Sequence, residues 1–160
     1  MKQEIKQAFN EQGYSFLLPI QEKAIPQILS RKNLFIQAAA GSGKTLAYLL
    51  PALEIADAAS NDTQILIITP TRELALQVSE VAKNTANYSK HHIVTVIGGL
   101  DIHKQENALR HRPTIIIGTP GRLMNLYSQK KIDLSHLLLC VVDEVDMVIS
   151  TGQRKETEYL

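Results

Sequence analysis

Residues 33–53 read Asn33-Leu34-Phe35-Ile36-Gln37, then Ala38-Ala39-Ala40-Gly41-Ser42-Gly43-Lys44-Thr45, then LAYLLPAL through Leu53. A short charge-free apolar run enters a glycine-containing turn and leaves as a segment whose Leu46, Leu49, Leu50 and Leu53 share one helical stripe, interrupted by Pro51. That order predicts strand, loop, helix. Four further apolar runs have the same character: 65–69 (ILIIT), 93–97 (IVTVI), 114–118 (TIIIG) and 137–142 (LLLCVV). Uninterrupted runs of this length suit strands covered on both faces, as in a parallel sheet. Between them, Ile20, Ala24, Ile25, Ile28 and Leu29 form one helical stripe, and Leu74, Val78 and Val81 another. Strand–helix alternation predicts an α/β sandwich with right-handed crossovers, and ligands in such sheets sit outside the carboxyl ends of the strands.

Composition sets outer bounds. The 160 residues are 44% apolar and 21% charged, which excludes wholesale disorder and fibrous repeats. The net charge of +1 splits into 7 basic and 8 acidic residues over 1–80, and 10 and 8 over 81–160. Any site for a polyanion must therefore be local. The opening MKQEIKQAFN holds no apolar core of a secretory signal, and no run approaches the ~20 residues of a membrane span. A lone cysteine, Cys140, excludes an internal disulfide and suits a reducing cytosol, where the chain is expected to reside. Inside its apolar run it reads as an inert core residue.

The loop 38–45 carries the first chemistry. Its glycines let successive backbone N–H groups of Ala40, Gly41, Ser42 and Gly43 turn inward as a nest for phosphate oxygens, at a helix N-terminus whose dipole favours negative charge. Lys44 would reach the β- and γ-phosphates of a nucleotide, and Thr45 would offer its hydroxyl to Mg²⁺. The fifth run ends in Asp143-Glu144-Val145-Asp146. An aspartate at the tip of a buried strand can hold Mg²⁺, while the adjacent Glu144 orients an attacking water. Read without the loop, the same tetrapeptide is a helix start with an acidic first turn.

The remaining segments give a family resemblance. Pro70-Thr71-Arg72-Glu73-Leu74-Ala75 follows the second run, Gly98-Gly99 the third, and Thr119-Pro120-Gly121-Arg122 the fourth; Gly13-Tyr14 and Pro19-Ile20-Gln21 lie upstream. In this order and spacing the chain resembles, over roughly residues 5–160, the nucleotide-binding lobe of the DEAD-box ATP-dependent RNA helicases. The resemblance implies a RecA-like P-loop NTPase fold, a three-layer sandwich around a mostly parallel sheet, with ATP and Mg²⁺ as cofactors and RNA as partner. It implies that Gln21 reads adenine, that Lys44, Asp143 and Glu144 are catalytic, and that Thr45 and Asp143 hold the metal. Asp146 would link nucleotide state to lobe closure. Pro70, Thr71, Arg72, Gly99, Thr119, Gly121 and Arg122 would meet the RNA backbone, contacts that give affinity and register without sequence information.

The chain also departs from the family pattern. Leu17 and Leu18 stand where Pro-Thr is usual, Ala39-Ala40 replace Gln-Thr, and Val145 replaces a small alanine in the acidic signature. Phe9 lies too near Gln21 to act as the family's adenine-stacking aromatic and is expected in the core. The chain stops 14 residues after Asp146, before the place of the family's Ser-Ala-Thr motif. Residues 1–160 are therefore expected to form one ATP-binding lobe, incomplete at its C-terminus, without the second lobe. Two rival readings stay open: a nucleotide- or RNA-binding module without turnover, and a DNA-acting helicase of the same superfamily.

Overall fold

The computed structural model describes all of residues 1–160. Helices α1 (Gln3–Glu11), α2 (Pro19–Leu29) and α3 (Lys44–Ile55) precede the first strand, β1 (Ile65–Ile68). There follow α4 (Arg72–Thr85), β2 (Ile93–Val96), α5 (Ile102–Leu109), β3 (Ile115–Gly118), α6 (Pro120–Ser128), β4 (Leu139–Val142), α7 (Val145–Ser150) and α8 (Arg154–Tyr159). All pairings are parallel, in the order β2-β3-β1-β4, with Ile65 opposite both Ile115 and Leu139. A parallel sheet puts every carboxyl end on one edge. The segments after Ile68, Val96, Gly118 and Val142 therefore converge there.

Alternation along the strands separates the two faces. Ile65, Ile67, Ile115 and Ile117 pack with Ile5, Phe9, Ala24, Ile28, the apolar body of α3, and Ala75, Val78 and Ala82 of α4. Leu66, Ile68, Val94, Val96 and Ile116 pack on the other face with Leu109 of α5 and Leu123 and Leu126 of α6. The sandwich thus has three layers, and Phe9 is core, as its sequence context predicts. Helix α3 runs through Pro51, and its residues 46–53 are buried all round.

Five strands are predicted and four form. Residues 33–37 belong to no helix or sheet; none of their backbone groups has a backbone partner, and Phe35 is 77% exposed. A strand exists by its ladder, and the only sheet edge facing this segment, β4, lies across an open cleft of about 720 Å³. The cleft leaves β4 an edge strand, only partly covered. It also corrects the reading of Cys140, which lies exposed along the cleft wall rather than in the core, although its apolar surroundings push the thiol pKa up. No helix is long and apolar enough to cross a membrane.

Candidate functional site

The loop before α3 is built by two glycines at positive φ, Gly41 (74°) and Gly43 (89°), the second serving as N-cap of the helix. Left-handed backbone at such points is what lets a loop turn N–H groups toward an anion; here the Ser42 N–H donates to the Ala39 carbonyl at 3.3 Å. The Ser42 hydroxyl is buried without a partner. Lys44 folds its ammonium back onto the carbonyls of Ala38 and Ala39, the latter at 3.3 Å. Its positive charge thus already sits over the mouth of the loop.

Gln21 is 2% exposed and lies beneath this loop. Its Oε1 accepts the Leu18 N–H at 2.9 Å, and its Nε2 donates to the Gly43 carbonyl at 3.1 Å. The first bond is half of a capping box; Leu18, lacking a hydroxyl, does not return the other half. With one bond at each end of the amide, Gln21 braces the phosphate loop and keeps a second N–H and a second lone pair.

Asp143 continues the ladder of β4, donating its N–H to Ile68 O at 2.9 Å. Its Oδ1 accepts the Glu144 N–H at 3.0 Å, and its Oδ2 accepts the Tyr48 hydroxyl at 2.7 Å. Burial, then the Asp143 charge, raises the Tyr48 pKa, and the neighbouring Thr45 side chain pulls the other way. Glu144 has φ 46° and ψ 52°, a left-handed conformation that costs a non-glycine residue about 1–2 kcal/mol. Such backbone persists where the surroundings over-determine it, commonly at functional sites. Lys44, Tyr48, Asp143, Glu144 and Asp146 line the same cleft that separates 33–38 from β4. Gln21 and Thr45 do not line it: Gln21 is buried and Thr45 half-buried beside it.

A second concavity, about 770 Å³, opens over the carboxyl ends of β1, β2 and β3. Pro70, Thr71, Arg72, Gly98, Thr119, Gly121 and Arg122 line it together. Thr71 caps α4, accepting the Leu74 N–H at 3.1 Å. Gly99 is exposed and does not line the groove, but the Arg72 guanidinium rests on it: a Cβ there would fall 2.7 Å from Arg72 Cζ. Glu73 and Glu156 share the groove with Arg72 and Arg122, so its charge is balanced rather than basic.

Sequence reasoning missed Tyr48, Gln105, Gln153 and Glu156. Tyr48 was findable, since a helix places it beside both Lys44 and Thr45. Gln105 holds the Ile97 backbone through its amide, and Gln153 donates to Pro70 O at 3.1 Å. The Gln153 contact spans 83 positions and leaves no local signal.

A DEAD/DEAH box helicase family model matches residues 18–160. The ATP-dependent RNA helicase CshA of Listeria monocytogenes is 41% identical over 153 residues, 95% of this chain and 29% of that protein. The DEAD-box ATP-dependent RNA helicase CshA of Bacillus subtilis is 37% identical over 152 residues, 95% of this chain and 31% of its own length. A crystal structure of a DEAD box protein from Methanococcus jannaschii superposes with a TM-score of 0.94 at 31% identity, covering 99% of this chain and 44% of that one. One of a hypothetical ATP-dependent RNA helicase from Sulfolobus tokodaii gives 0.90 at 35%, covering 99% and 46%. The chain spans about a third of the curated relatives it matches, and these structural neighbours share its RecA-like fold. Sequence and fold agree over nearly every residue: the chain belongs to the DEAD/DEAH box helicase family.

Proposed function

We propose that residues 1–160 are the ATP-binding lobe of an RNA helicase of the cytosol, holding ATP or ADP at the loop 40–45 and the acidic tip, and an RNA backbone in the groove over β1–β3. The observation that carries this is the sharing of one sheet edge: Asp143 bonds the end of β1 at Ile68, and Pro70, two residues further on, opens the groove. Nucleotide and RNA would therefore read the same strand ends.

The residues fit the cofactor. Mg²⁺ takes oxygen ligands and is typically bound by one or two carboxylates together with substrate phosphates. Asp143 and Thr45 supply such oxygens, and no group of three His, Cys, Asp or Glu side chains forms a cage for a metal bound by protein alone. When bound, Mg²⁺ neutralises charge developing on the phosphate oxygens. Lys44 exchanges the Ala38 and Ala39 carbonyls for phosphate, and the backbone of 40–43 cradles it. Glu144 orients the attacking water and accepts its proton.

Among the basic side chains lining the cleft only Lys32 and Lys44 occur; Arg72 and Arg122 belong to the other groove. In related phosphoryl transfers an arginine supplied to the transition state is worth about 10³–10⁵ in rate. This favours, for these residues alone, the reading of a binder with turnover near background; ATP-driven RNA unwinding is proposed for a helicase that contains this lobe. The test is titration of the chain with labelled ADP and ATP, then with single-stranded RNA and DNA. Mg²⁺-dependent nucleotide binding and a preference for RNA support the reading. Absence of nucleotide binding contradicts it, and a preference for DNA moves the chain to the DNA-acting reading.

A further inference from the structure

We infer that Tyr48 is a positioning residue for Asp143, its phenol holding the carboxylate in the orientation that receives Mg²⁺ and its water shell. The inference rests on the proposed role of Asp143 as the metal carboxylate and adds a residue to it.

Three observations meet at this pair. Tyr48 is 5% exposed, anchored in α3 one turn beyond Lys44, so its ring cannot swing away. Its hydroxyl donates to Asp143 Oδ2 at 2.7 Å while the Glu144 N–H donates to Oδ1 at 3.0 Å, so each carboxylate oxygen is held by one donor and keeps acceptor capacity for another. No lysine, arginine or histidine forms an ion pair with Asp143. A carboxylate at the wall of a cleft, fixed by two neutral donors and left without a protein cation, is prepared for a cation from outside. A carboxylate free to rotate would have to be ordered when the metal arrives, and that ordering would weaken binding. Partners of metal-binding groups are commonly worth ten- to a hundredfold in metal affinity.

Tyr48→Phe keeps the ring that fills the core and deletes only the donor. The affinity of the chain for labelled ADP is measured against Mg²⁺ concentration and again in EDTA, with Mn²⁺ bound in the ADP complex counted by electron paramagnetic resonance. Tyr48→Phe should weaken the metal-dependent part about tenfold and leave the EDTA affinity unchanged. Equal metal dependence in wild type and variant would overturn the proposal. So would an equal loss with and without metal, since that marks a packing role. A wild-type chain whose ADP binding ignores Mg²⁺ would remove the role of Asp143 itself, a failure visible before any variant is made. Should Tyr48→Phe not fold, the wild-type chain labelled with ¹³Cζ-tyrosine decides. Mg²⁺–ADP should shift the Tyr48 resonance and ADP in EDTA should not; an unmoved resonance overturns the proposal.

Discussion

The side-chain amide of Gln21 supports the Gly43 carbonyl at 3.1 Å, and a Cβ on Gly43 would fall 2.6 Å from that same amide nitrogen. The helix α2 and the phosphate loop are therefore fitted to each other at a position where only glycine goes. Gly43→Ala meets two penalties. The positive φ costs about 1–2 kcal/mol by itself, and the clash with Gln21 adds to it. Gln21→Ala should relieve the second part only. In denaturant titrations the double variant should be less destabilised than the sum of the singles, by at least about 0.5 kcal/mol. Strict additivity would mean that the two residues do not brace each other.

In the groove, Arg72 is held over Gly99. Gly99→Ala is strained at φ 77° and must move the tip of Arg72, so it should weaken RNA binding, but less than Arg72→Ala, which removes the charge. For Arg72→Ala the log–log dependence of RNA affinity on salt should flatten by about 0.7, the loss of one phosphate contact on a single strand. Glu156→Gln removes a negative charge from the same groove and should tighten RNA binding. Looser binding by Glu156→Gln would mean that this carboxylate has a partner in the complex.

Gln105 is buried, accepts the Ile97 N–H at 2.9 Å and donates to the Ile97 carbonyl at 3.1 Å. It thereby anchors the turn that carries Gly98-Gly99. Gln105→Leu fills the volume but strands both backbone groups, at about 1–3 kcal/mol each if no water replaces the amide. A fall in melting temperature together with weaker RNA binding is expected. An unchanged melt would show that the turn stands without it.

The outer edge of β4 and the 33–37 segment expose unpaired backbone beside Leu34, Phe35 and Leu138. Exposed apolar edges template further pairing. The chain should therefore self-associate as its concentration rises in sedimentation velocity, and Phe35→Lys should reduce this. A monomer across the whole range, with a cooperative melt at high temperature, would contradict it.

The three-layer fold was legible because β1 and β3 are charge-free runs buried on both faces, and a run of that kind suits a central parallel strand. The run 33–37 has the same letters and no neighbour, and a sequence does not announce whether a ladder partner stands beside it. Cys140 was misplaced for the same reason, since β4 is an edge and not a centre. Short motifs make legible the placement of Lys44 and Asp143 on one cleft and of Arg72 on the groove, while their roles rest on the proposed function. Gln21 was read by its resemblance as an adenine contact, while its place in the fold gives the amide two backbone partners. The bonds of Tyr48 to Asp143 and of Gln153 to Pro70 join distant positions, and local pattern carries no trace of them.

Lys44 and Glu144 line one cleft, and the proposed function divides their roles: Lys44 holds the nucleotide and Glu144 orients the water. Labelled ATP binding in the presence of Mg²⁺, compared among wild type, Lys44→Ala and Glu144→Gln, tests it most directly. Lys44→Ala removes the charge over the phosphates and should lose about tenfold or more in affinity, the scale of a charged hydrogen bond. Glu144→Gln keeps shape and polarity and should bind as wild type does. Equal affinity in all three, or an equal loss in both variants, would contradict the account.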